Sequence, residues 1–190
     1  MRELALHLLD IAQNSLAAGA HQVRISVMED TRQDVLELTV QDDGKGMSSR
    51  VAAQVTDPFF TSRTTRKVGL GLPLLKEAAE ACAGGLTIQS EVGKGTAVNV
   101  IFQSSHIDRM PLGDLASTFY TLLVTAPQVR WLFVYALDGA EFRFDSQPIM
   151  DILGDINLTE PSVLAYLRET ITQGLASAQQ KETLSLGISQ

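Results

Sequence analysis

Four short segments in a fixed order limit what this chain can fold into. Asn14 comes first, on a helical pattern. Asp42-Asp43-Gly44-Lys45-Gly46 follows at the end of a strand pattern, and Gly69-Leu70-Gly71-Leu72 opens a second helix. Gly93-Lys94-Gly95-Thr96 then turns a hairpin. Any one of these is an ordinary turn. In this order, each at a strand or helix end, they describe a ligand site built from one helix face, two glycine turns and a short lid.

The pattern between them supports that frame. Apolar residues at Leu4, Leu8, Ile11, Ala12 and Leu16 predict an amphipathic helix over 3–18, closed by Gly19. Val23, Ile25 and Val27 alternate with polar residues as a half-buried strand does, and 35–40 reads as a second strand delivering the chain to Asp42. A short helix is expected over 47–55 and a loop over 58–68. A helix is expected over 72–83, with Pro73 in its first turn. Strands at 86–91 and 97–102 form a hairpin around the 93–95 turn. Composition shifts at the polar stretch 103–109, which sets an expected boundary between an N-terminal domain over 1–103 and an α+β C-terminal extension over 104–190. The extension reads as a helix (112–124), two strands flanking the Asp138-Gly139 turn, and a last helix capped by Thr159 that runs to about Ala178.

Bulk properties exclude several classes. A formal net charge of −7 argues against a nucleic-acid or anionic-membrane surface. A single cysteine, Cys82, rules out a disulfide framework and fits a cytoplasmic setting. No apolar run approaches the ~18 residues that a spanning helix needs.

Each candidate residue has a chemical reason. Asp42 leaves a strand end, where its carboxylate can accept the exocyclic amino group of adenine. A carbonyl there, as in guanine, would oppose two acceptors at a cost of roughly 1–3 kcal/mol. Gly44 and Gly46 let the backbone turn tightly beside a base. Asp10 and Asn14 are one helical turn apart and share a face. An asparagine oxygen is a hard ligand for magnesium, and Asp10 can hold a water or serve as general base. Arg63, Arg66 and Lys67 form a basic cluster suited to phosphate charge. Gly69, Leu70, Gly71 and Leu72 lead into a helix N-terminus, which favours anions. Thr96 can hydrogen-bond near the base. His7, His21 and His106 do not cluster, and His7 is expected to be a core histidine. Taken alone, each feature is also compatible with a plain turn, a solvated helix face or a solvated basic loop.

Together these motifs resemble the Bergerat-fold (GHKL) ATPases: DNA gyrase, the large heat-shock chaperone, histidine kinases and the mismatch-repair protein MutL. The resemblance covers roughly residues 3–103. The run from Asp57 through Gly69-Leu70-Gly71-Leu72 to Gly93-Lys94-Gly95-Thr96 looks like the ATP-binding domain of a sensor histidine kinase. Asn14 to Ala20 looks more like the mismatch-repair branch. The whole chain resembles stand-alone bacterial ATP-binding proteins with a C-terminal extension. The resemblance implies an α/β fold, a two-layer sandwich of helices on a mixed sheet. It implies ATP and Mg2+ as cofactors, with Asn14 on the metal, Asp42 on adenine, and Gly44, Gly46, Gly69, Gly71 and Thr96 lining the pocket. There are departures. Hydrolysing relatives carry glutamate where this chain has the shorter Asp10. Because the pattern begins at residue 3, the phosphoacceptor hairpin of a sensor kinase is not expected here. Two functions follow: an ATPase or histidine- or serine-kinase-like enzyme acting on a protein partner in trans, or a non-catalytic ATP-sensing interaction module like an anti-sigma factor. A protein partner is expected and a homodimer is compatible with the sequence; nucleic acid and membrane are not expected partners.

Overall fold

The structure, a computed structural model, describes residues 3–56, 71–154 and 160–185, with side chains through residue 179. The chain is an α/β sandwich: one mixed sheet with helices on one face. In chain order the elements are α1 (Leu4–Ala17), β1 (Gln22–Asp30), β2 (Val35–Asp42), α2 (Ser49–Gln54), α3 (Gly71–Ala81), β3 (Gly85–Glu91), β4 (Gly95–Gln103), α4 (Leu115–Thr125), β5 (Arg130–Leu137), β6 (Ala140–Asp145), α5 (Gln147–Leu153) and α6 (Pro161–Ser185).

The six strands lie in the order β3-β4-β2-β1-β5-β6. All neighbours are antiparallel except β1 and β5, which run parallel with Gln22 opposite Arg130. Alternation sets the faces, because successive strand side chains point to opposite sides. Val23, Ile25 and Val27 are fully buried on β1, as are Trp131, Phe133 and Tyr135 on β5. The intervening Arg24, Ser26, Leu132 and Val134 face the uncovered side. In the helix layer α1 packs against both α3 and α4, and α4 packs against α6. Leu4, Leu8 and Ile11 of α1, Leu75 and Ala79 of α3, Phe119 and Leu122 of α4, and Leu167, Ile171 and Leu175 of α6 enter one continuous core.

The segment after β4 is stitched to the start of the chain. Glu3 makes no side-chain cap for α1. The first amides of that helix donate instead to carbonyls at Pro111 (from Leu4, 3.0 Å) and Leu112 (from Ala5, 2.8 Å), which satisfies donors that a helix start otherwise leaves unpaired. Residues 115–178 thus share the sheet and the core of the first hundred residues.

Two differences from the sequence reading have local causes. α5 was not anticipated; none of its residues is buried, so it carries no apolar period. α6 continues to Ser185 rather than ending near Ala178. The buried stripe Leu167, Ile171, Leu175 and Ala178 marks the part of the helix that the apolar period reveals. Thr159, the expected cap, lies outside the described residues.

Turns at the far end of the sheet are pinned by carboxylates. Asp138, at φ +48°, accepts the Thr31 amide at 2.8 Å and the Thr31 hydroxyl at 2.6 Å. Asp34, at φ +57°, accepts Gln103 Nε2 at 2.7 Å, and the Ser105 amide and hydroxyl at 2.7 and 2.8 Å. Those donors hold both carboxyls below their ordinary pKa: chiefly the Thr31 hydroxyl for Asp138, and the Gln103 amide followed by Ser105 for Asp34. A depressed folded-state pKa contributes stability that is complete above the unfolded value, about 3.9, and is lost as pH falls through the folded value. Melting temperature followed by circular dichroism from pH 7 to pH 3 should therefore fall less steeply below about pH 4 in Asp34→Asn and Asp138→Asn than in the wild type. Parallel acid limbs in all three proteins would refute this.

Candidate nucleotide site

The site gathers where β2 ends against the second half of α1. The sheet-facing stripe of that helix runs Leu4, Leu8, Ile11 and then Ser15, a buried hydroxyl where a fourth aliphatic side chain would otherwise pack. The Ser15 hydroxyl donates to Asp42 Oδ2 at 2.7 Å. The other oxygen, Oδ1, accepts the Gly44 amide at 2.9 Å. Each carboxylate oxygen thus has one donor inside the protein and a lone pair left for a further one. Asp42 is half-buried, and Thr96 is its partner across the β2–β4 ladder.

The loop 42–47 is clamped from both sides. Asp43 accepts the His21 and Gln22 amides at 2.7 and 2.9 Å, and the Lys45 amide donates to the Ala18 carbonyl at 3.0 Å. From the β3–β4 hairpin, the Gly93 amide donates to the Lys45 carbonyl at 2.8 Å. Ser90 ties the hairpin together. Its hydroxyl accepts the Met47 amide at 2.8 Å, donates to the Gly95 carbonyl at 3.0 Å and lies 2.9 Å from the Thr96 hydroxyl. Gly46 has φ +63°, and a Cβ there would overlap the Glu91 carbonyl, so only glycine lets the loop lie this close to the hairpin. Lys94 pairs with Glu91 at 2.8 Å, with both side chains well exposed.

Asp10 and Asn14 are half-buried on the side of α1 that meets α3. The Asp10 carboxylate fills the space that a Cβ on Gly71 would take, at the first residue of α3. That is the positive end of the helix, where amides point outward and a carboxylate is favoured. Leu72 beside it is half-buried and packs onto the core. Arg63, Arg66, Lys67, Gly69 and Leu70 lie outside the described residues. The structure thus brings Asp42, Gly44, Gly46 and Thr96 together at one end, and Asp10 and Gly71 at the start of α3. His7 is buried, and burial holds its pKa below the ordinary histidine value.

Among the described residues no three His, Cys, Asp or Glu side chains group in a way that would hold a metal. Asn14 and Asp10 offer a carboxamide and a carboxylate one helical turn apart. Hard oxygen donors too few to enclose an ion fit magnesium, which keeps waters and takes phosphate oxygens as further ligands.

Ser15 and Ser90 were not singled out among the candidate site residues, yet they fix Asp42 and Thr96. Ser15 had a signal: it is the one hydroxyl on an otherwise aliphatic stripe. Ser90 is partly legible, since a hydroxyl sits across the turn from Thr96 in the hairpin register.

A mixed sheet under one helix layer, with glycine turns and the Asp42 carboxylate converging at a strand end, is the α/β sandwich of an ATPase class. The chain belongs to the histidine kinase-, DNA gyrase B- and HSP90-like ATPase family, whose model matches residues 1–106. Among curated relatives, the C4-dicarboxylate transport sensor protein DctB of Pseudomonas aeruginosa is 33% identical over 101 residues, which is 53% of this chain and 16% of the relative. The sensor protein kinase FleS of the same organism is 37% identical over 93 residues, 49% of this chain and 23% of the relative. The chain therefore spans less than a quarter of either relative. Among solved structures, the Aquifex aeolicus MutL ATPase domain complexed with ADP shares the fold with a TM-score of 0.51 at 14% identity. That likeness covers 91% of this chain and 70% of the MutL domain, so it extends past β4 into the second half. No described helix is long and apolar enough to cross a membrane.

Proposed function

We propose that this chain binds Mg-ATP and acts in the cytoplasm as an ATPase or protein kinase on a protein partner in trans. The observation that carries the reading is Asp42, whose two oxygens are aimed by Ser15 and Gly44 and retain acceptor capacity. Asp42 takes the adenine amino group, with Thr96 beside it, and Gly44 and Gly46 form the turn that admits the base. Asn14 holds the magnesium ion, which would supply charge neutralisation at the phosphates when bound. Gly71 and Leu72 present the start of α3 to the phosphates. By their charge, Arg63, Arg66 and Lys67 complete this end, with Gly69 and Leu70 leading into the helix. Asp10 receives the proton from an attacking water or from the hydroxyl or imidazole of the partner. In phosphoryl transfer most of the catalytic effect comes from such positioning and charge neutralisation. The similarity of residues 1–106 to segments of sensor kinases supports transfer as the use made of ATP.

One observation favours a second reading, an ATP-sensing module without turnover. Asp10 already occupies the start of α3, where it competes with an incoming phosphate for the same helix end. A single comparison separates the two. Purified protein with Mg-ATP and candidate partners should release phosphate or label a partner, and Asn14→Ala should reduce the rate by about a hundredfold. Equal rates in both proteins remove the enzyme reading; tight ATP binding without turnover supports sensing.

A further inference from the structure

The sheet has an open edge at β6, and the charge pattern of that edge specifies one partner. β6 is the last strand in the sheet order and pairs only with β5 among the described residues. The Asp138-Gly139 turn joins Leu137 to Ala140, and a two-residue hairpin makes that closing pair hydrogen-bonded. Hydrogen-bonded and non-hydrogen-bonded pairs then alternate, so Ala140, Phe142 and Phe144 spend their amides and carbonyls on β5. Glu141 and Arg143 direct theirs outward from the sheet. Both side chains lie on the uncovered face and pair with each other along the strand. The Arg143 side chain is 74% exposed. Phe142 is on the opposite, helix-covered face. Its ring lies against Gly174 of α6, where a Cβ would collide with it, yet it stays half-buried at the rim of the core.

We propose that β6 pairs antiparallel with β6 of a second copy of this chain, in the register that sets Glu141 opposite Arg143. Antiparallel pairing about a two-fold axis allows few registers in which the outward amides and carbonyls of both strands meet. In the one centred on Phe142, Glu141 faces Arg143 of the second copy and Arg143 faces its Glu141. Two ion pairs form directly across the strands, with backbone hydrogen bonds at both pairs. The two Phe142 rings meet as the central non-hydrogen-bonded pair, where side chains approach most closely. A shift of the axis to Arg143 sets arginine against arginine and Glu141 against Asp145. A shift to Glu141 sets glutamate against glutamate. Like charges directly opposite are destabilising, so the same residues that favour one register reject its neighbours. The result is a continuous sheet through both copies, with the two Asp42 ends held apart by the full width of β1, β5 and β6 on each side.

Analytical ultracentrifugation of the full chain over a concentration series tests this, without nucleotide. The wild type should show a monomer–dimer equilibrium. Arg143→Glu, which opposes two glutamates at each pair, should raise the dissociation constant about tenfold or more. Both positions are exposed, so the circular dichroism spectrum of the folded chain should stay unchanged. The double variant Glu141→Arg/Arg143→Glu restores opposite charges in the same register and should recover the wild-type dissociation constant. A wild type that remains monomeric throughout overturns the proposal. So does a dimer indifferent to Arg143→Glu, or one that the charge-exchanged double variant fails to restore.

Discussion

Asp42→Asn should raise the dissociation constant for ATP by about tenfold to a hundredfold, the value of a hydrogen bond to a charged acceptor. It should do so without unfolding the site. The amide of an asparagine can keep its oxygen on the Gly44 N–H and turn its nitrogen toward the Ser15 hydroxyl, which has a second acceptor in the Ile11 carbonyl at 3.4 Å. What is lost is the negative charge and one lone pair facing the base. Titration calorimetry with Mg-ATP and Mg-GTP reads both halves of the idea. The wild type should bind ATP and bind GTP weakly, and the variant should lose most of that preference. Unchanged ATP affinity, or equal binding of both nucleotides by the wild type, would remove Asp42 from the adenine role.

The largest expected effect on stability lies in the aromatic core beneath β5. Phe133 on β5 is fully buried, stacked on Phe119 of α4 with ring centroids 4.3 Å apart, and flanked by Phe144 at 5.7 Å and Trp131 at 5.9 Å. Truncation to alanine removes the ring that all three others touch. The cost is about 3–5 kcal/mol, because the vacated volume adds to the lost transfer free energy. Because β5 shares its ladder and core with β1, the destabilisation should appear as one cooperative transition at a lower temperature. Far-ultraviolet dichroism and release of a fluorescent ATP analogue should then report the same midpoint. Two separate transitions, with the one for residues 1–103 unmoved, would show that the second half folds on its own.

Local chemistry made much of this legible in the sequence. Glycine turns at 93–95 and 138–139 announce their hairpins, and the strand over 35–40 leads straight to Asp42. The apolar period of α1 marks its buried face. What the pattern could not convey is pairing at a distance. Nothing local to Arg130–Leu137 says that β5 will lie beside β1 rather than form a separate sheet; both are alternating strands, and register is a property of the pair. The same limit explains Ser15. Its hydroxyl reads as a tolerated helix residue until Asp42 is brought 2.7 Å away by a different element. The basic residues from Arg63 to Lys67 lie outside the described structure, and their role rests on charge.

The parallel pairing of β1 with β5 also imposes an order of events during synthesis. β1 can take β2 as a neighbour almost at once, but its other edge has no partner until Leu137 has been made. At roughly 5–20 residues per second, that edge waits for seconds with Val23, Ile25 and Val27 in place and unpaired hydrogen-bonding groups alongside. An open, apolar strand edge is a template for wrong pairing. The second half of the chain thus acts as a late-arriving cover for the first, and any truncation between β4 and β5 leaves β1 in its most aggregation-prone form.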